Sequence, residues 1–129
     1  MPTESPARKT IWMKKLIAVA IAAEASIGLV LIVGPTIVVK LLFGPDIAGI
    51  AIVISQFAGL ALPSLGVACW PREFAASALY GMLTYSSLAT LGLLYLALGG
   101  KWQGPLLWPA VVLHAALTLL LTWAWFKSQ

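Results

Sequence analysis

A chain of 129 residues that is 61% hydrophobic and only 9% charged is not an ordinary soluble domain, where about a quarter of residues carry charge and this much apolar surface would drive aggregation. Its net charge of +4 is no nucleic-acid signature either, because the basic residues gather beside apolar runs and no basic groove with aromatic platforms exists. The length allows one domain, lipid is its natural solvent, and anionic lipid headgroups are natural partners for its cations.

Residues 1–11, with Pro2, Glu4, Pro6, Arg8 and Lys9, read as a disordered tail. The first apolar run, from about Leu16 to Val33, is broken only by Glu24 and ends at Gly34-Pro35; it predicts a helix over about 14–34. A signal peptide has a shorter apolar stretch and a small-x-small cleavage site, so this run reads as a retained anchor. Residues 36–43 contain Lys40 and lie between Pro35 and Gly44-Pro45. They are too short to cross a bilayer, and a short helix at the interface is expected; the alternative is that the first helix continues through a kink at Pro35.

Three further helices are predicted over about 47–69, 74–98 and 105–126, each long enough to cross about 30 Å of hydrocarbon. Their joints, Trp70-Pro71-Arg72-Glu73 and Gly99 to Gly104, are tight, so consecutive helices should pack antiparallel. Arg72 and Glu73 read as a turn that caps and anchors the third span. Strands of a β-barrel would alternate polar and apolar residues, and these runs do not.

All six tryptophans (Trp12, Trp70, Trp102, Trp108, Trp123 and Trp125) fall near run ends, where an indole has an apolar ring in lipid and a wet N–H. Tyr80 and Tyr95 suit the same role. With the N-terminus inside, Arg8, Lys9, Lys14, Lys15, Arg72 and Lys127 are cytoplasmic and only Lys40 and Lys101 lie outside, as the positive-inside rule requires. The expected fold is therefore an all-α, integral membrane four-helix bundle, up-down-up-down, N-in/C-in, with residues 12–129 as one domain after the tail. Gly44-Pro45 and Gly104-Pro105 each precede an inward-running helix, a correspondence too short to define a repeat.

Each run carries a polar residue near its midpoint: Glu24, Gln56, Tyr85 (with Ser86 and Ser87) and His114. Four helices entered from alternating sides would place these at nearly one level. A charge at mid-membrane costs from about 2.5 to more than 10 kcal/mol, so the groups should face inward and find each other, Glu24 with His114 first. A carboxyl at that depth can also stay neutral by keeping its proton. The plain structural reading is that such residues are glue, each worth about 0.6 kcal/mol.

Small residues share these faces: Ala20 and Gly28 with Glu24; Gly59, Pro63 and Gly66 with Gln56; Ser77 and Gly81 with Tyr85; Ala110, Thr118 and Thr122 with His114. Such stripes let helices approach closely. Pro63 should bend the second span and free a backbone carbonyl. Ala18, Ala22 and Ala25 turn away from Glu24 and leave a small-residue face for a partner. Cys69, the only cysteine, reads as a small apolar packer.

No Walker loop, dinucleotide fingerprint, nucleophile elbow or H-E-x-x-H motif occurs, so the expectation is a non-enzymatic protein. The single histidine leaves no zinc ligand set, and His114 could supply only one axial ligand to haem. No metal or cofactor is assigned.

The segment Gln56-Phe57-Ala58-Gly59, followed by Leu62, Leu65-Gly66 and Trp70, resembles the second helix of small four-helix bacterial membrane proteins of the DoxX-like type. The resemblance covers the four-span plan and this segment, and Gln56 stands where that pattern often has a basic residue. It implies an accessory role beside membrane redox complexes and supplies no catalytic residues. The expected function is thus a small accessory or scaffold subunit of an inner (plasma) membrane complex, or a homo-oligomer. Proton-coupled transport of a small molecule through the polar layer and a cofactor-binding redox subunit are the alternatives.

Overall fold

The computed structural model describes residues 5–71 and 75–128. Among them all regular structure is helical: α1 (Pro6–Val33), α2 (Pro35–Phe43), α3 (Ile50–Ala68), α4 (Ala75–Gly99) and α5 (Leu107–Ser128). Of these, α1, α3, α4 and α5 are long and apolar enough to cross a membrane.

Helix α1 begins at Pro6, inside the segment read from sequence as a disordered tail. Proline at the first helical position has its φ preset and no N–H to leave unpaired. The Ser5 carbonyl accepts the N–H groups of Arg8 and Lys9, and the Thr10 hydroxyl donates to the Pro6 carbonyl at 3.1 Å. The helix has 28 residues, about 42 Å at about 1.5 Å per residue, which is longer than the roughly 30 Å of a bilayer's hydrocarbon, and Arg8 and Lys9 lie near its start. The remaining tail residues 1–4, and Arg72 and Glu73 of the second turn, lie outside the described residues.

Gly34 ends α1 and Pro35 opens α2. A helix that stops leaves its last carbonyls without intrahelical donors. The Gly34 N–H takes the Val30 carbonyl at 2.8 Å, and the Gln56 side-chain amide of α3 donates to the Ile32 carbonyl at 3.1 Å. Gln56→Leu leaves that carbonyl unpaired. We expect a loss of about 1 kcal/mol, read as an earlier midpoint in a detergent-denaturation titration at unchanged starting helicity.

The carbonyls at the end of α2 are met from another part of the chain. Gly104 and Leu106 donate their N–H groups to Leu42 and Leu41 at 3.0 and 2.8 Å. Gly44 has φ +96° and a Cβ on it would sit 3.1 Å from the Gln103 carbonyl oxygen, so the two Gly-Pro steps lie against each other. Asp46 pairs with Lys40 beside them at 3.0 Å, both exposed.

Helix α1 packs most extensively on α3, and α4 on α5; α1 also touches α4 and α5. The tight turn after Cys69 predicts α3 beside α4, but the described residues show no comparable contact between them. The small stripe of α3 decides this. The space a Cβ would take on Gly28 is filled by the Gly59 carbonyl oxygen at 2.7 Å and Pro63 Cδ at 2.8 Å, and Gly66 meets Ile21 in the same way. Pro63 lies inside α3 and has no N–H for the carbonyl four residues back, which is that of Gly59. The freed carbonyl thus projects where Gly28 has no side chain.

Helices α1, α4 and α5 enclose the main core of Ile17, Ala20, Ile21, Leu79, Met82, Leu117, Leu121 and Ala124, with Cys69 and Ala78. A smaller cluster of Ala97, Leu107 and Val111 closes the other end of the α4–α5 pair. On α4 the buried positions are Ala78, Leu79, Met82 and Ser86, one step round from the expected Ser77–Gly81–Tyr85 stripe. Helix α3 stays outside, with Val53, Ile54, Phe57, Leu60 and Val67 exposed.

Candidate functional site

Three of the four mid-span polar residues meet. Glu24 lies on the buried stripe of α1 between Ala20 and Gly28, with 1% of its surface exposed. Tyr85 reaches it from α4, its hydroxyl donating to Glu24 Oε2 at 3.0 Å. His114 reaches it from α5, with Nδ1 3.4 Å from Glu24 Oε1. The phenol and imidazole rings stand edge to face with centroids 6.0 Å apart. One α-helical stripe from each of three helices therefore converges on one carboxyl group.

The fourth does not join them. Gln56 is spent on the Ile32 carbonyl, two helical turns of α1 away from Glu24. The Gly28–Gly59 contact fixes the register of α3 on α1, and this carries Gln56 past the level of Glu24. Gln56 is therefore removed from the predicted polar layer.

The pairing is asymmetric. Glu24 Oε2 has its hydrogen bond, whereas Glu24 Oε1 and His114 Nδ1 face each other at ion-pair distance without one. Ser86 Oγ is also fully buried and unbonded. Around these groups the α4–α5 seam carries hydroxyls: Thr118 Oγ1 donates to the His114 carbonyl at 2.8 Å, Thr90 Oγ1 to the Ser86 carbonyl at 2.7 Å, and the two threonine oxygens lie 3.3 Å apart. Sequence reasoning passed over Thr90, although it falls four residues after Ser86 and so on the same helix face.

Chemically this is a carboxyl and an imidazole that can hold one proton between them, with a phenol fixing the orientation of the carboxyl. Among the described residues no third His, Cys, Asp or Glu gathers with them.

The tryptophans sort by end. Trp12 of α1 stands edge-on to Trp123 of α5, centroids 4.9 Å apart. The Lys127 ammonium sits 3.8 Å from the Trp123 ring, and Trp125 Nε1 donates to the Tyr80 hydroxyl at 3.1 Å. Trp70, Trp102 and Trp108 are exposed, with the Lys101 ammonium 5.1 Å from the Trp102 ring.

No family model matches this chain, nor does a curated protein or a solved structure.

Proposed function

We propose that this chain is a non-enzymatic, multi-pass protein of the inner membrane that binds and passes a proton at Glu24 and His114, as part of the coupled movement of a small molecule. The observation that carries this reading is the Glu24–His114 contact: two titratable groups from different helices, 1% and 7% exposed, 3.4 Å apart and not hydrogen-bonded to each other. Titratable pairs buried within membrane spans mark proton and ion pathways.

The topology proposed with it is up-down-up-down with both termini cytoplasmic. The Trp12–Trp123 contact supports it by bringing the start of α1 to the end of α5, and the basic residues concentrate there. Four spans are few for alternating access, so the working unit proposed is a dimer that meets over the exposed face of α3.

In proteoliposomes under an imposed pH gradient, Glu24→Gln and His114→Asn, which keep a polar side chain at each position, are each expected to abolish proton flux while keeping helicity. Flux equal to the wild type in both folded variants would sink the proposal. The outward face of α3 and its likeness to DoxX-like proteins favour a second reading, an accessory subunit of a larger complex. A stoichiometric partner retained in mild detergent, with no flux from the purified chain, would select it.

A further inference from the structure

We propose that the bundle end formed by the first turns of α1 and the last turn of α5 is a seat for the headgroup of an anionic phospholipid, held by Arg8, Lys15 and Lys127 around the Trp12–Trp123 pair. Arg8, Trp12 and Lys15 are spaced by four and three, so they share one face of α1. Trp12 meets Trp123 edge-on at 4.9 Å, and Lys127 lies over Trp123 at 3.8 Å. The contact thus draws a cation of α5 to the basic face of α1. All three cations are exposed, and none has a salt-bridge partner among the described residues.

Among the described residues no acidic group opposes this charge. Of the described acidic residues, Glu24 is at the buried centre and Asp46 is paired with Lys40; Glu4 and Glu73 lie outside the described residues. A phosphodiester offers the negative charge that such a cluster lacks, and indole N–H groups suit the ester level just beneath it. The apolar requirement is met too: Val19 and Ala22 continue the Trp12 face along α1, Leu119 continues the Trp123 face along α5, and all three are exposed, so an acyl chain can run on below the headgroup. The bilayer, not free phosphate, is therefore the source of the ligand.

The test is native mass spectrometry of the full chain in mild detergent with equal phosphatidylglycerol and phosphatidylcholine. The expected result is one phosphatidylglycerol retained in preference. Each basic residue near the surface is worth about fivefold, so Arg8→Gln/Lys15→Gln/Lys127→Gln should lose the preference by about a hundredfold, while Lys101→Gln keeps it. If the triple variant does not fold, the wild type decides: raising the salt from about 0.05 to about 1 M shortens the Debye length several-fold and should abolish the preference. Equal retention of the two lipids, a preference that survives the triple variant or high salt, or competition by millimolar inorganic phosphate would each overturn the proposal.

Discussion

His114→Ala should destabilise the bundle by about 3–5 kcal/mol, because removing one partner of a buried pair leaves the other uncompensated. Glu24 Oε1 would then face a void left by the imidazole, at a position where 1% of the residue is exposed. Replacing the whole constellation is a different matter. Apolar side chains of similar volume in place of a buried pair are often neutral or stabilising, so Glu24→Met/Tyr85→Phe/His114→Leu should recover stability to within about 1 kcal/mol of the wild type. Tyr85 must be included, since its hydroxyl otherwise loses the Glu24 Oε2 acceptor. The measurement is a denaturation midpoint for each single variant and for the triple. A triple variant that is stable and carries no proton flux separates the role of the centre from the folding of the bundle. If the triple variant is as unstable as the single variants summed, the three residues are glue and the proton reading fails.

Much of the fold was legible because apolar length is a one-dimensional property. Runs of about 20 residues between Gly and Pro steps announce themselves, and α3, α4 and α5 begin and end within about three residues of the predicted bounds, since helix ends commonly shift by a residue or two. The start of α1 was not legible in this way. Hydropathy marks where lipid ends, whereas the helix continues to Pro6 on backbone hydrogen bonds that ignore side-chain polarity. Helix pairing was also out of reach. Chain order and tight turns favour neighbours, but the α1–α3 contact depends on Gly28, Gly59 and Pro63 fitting backbone to backbone, a matter of shape.

The polar residues divide along the same line. Depth alone brought Glu24, Tyr85 and His114 to one level, and they meet. Depth alone misplaced Gln56, because counting from run midpoints assumes that every helix is centred on the same plane. The neglected signal was Gly34-Pro35. A helix broken there needs a donor for an orphaned carbonyl, and an amide on the neighbouring helix is the natural one. Gln56 is that amide, so its place follows from hydrogen-bond accounting and not from hydropathy.

The same contact sets the second large effect. Gly28→Leu places a Cβ where the Gly59 carbonyl oxygen lies 2.7 Å away, Pro63 Cδ 2.8 Å and Leu62 Cβ 2.9 Å. Two of these atoms belong to the backbone or to a proline ring, so no rotamer change relieves the collision and α3 must move off α1. Overpacking of this kind costs about 1–3 kcal/mol and at times more. Here the separation should also break the Gln56–Ile32 hydrogen bond, which adds up to about 1.7 kcal/mol. Lipid offers no hydrophobic force to push the helices back together, because association in a bilayer rests on close packing. Gly92→Leu is the matched control: nothing lies within 4 Å of a Cβ at Gly92 of α4, and leucine favours the helix by several tenths of a kcal/mol over glycine, so its midpoint should hold or rise. Equal midpoints for the two variants would mean that the glycine contact does not hold α3. A loss confined to Gly28→Leu, with proton flux retained at low denaturant, would show that α3 clamps the bundle from outside while the Glu24–His114 centre belongs to α1, α4 and α5.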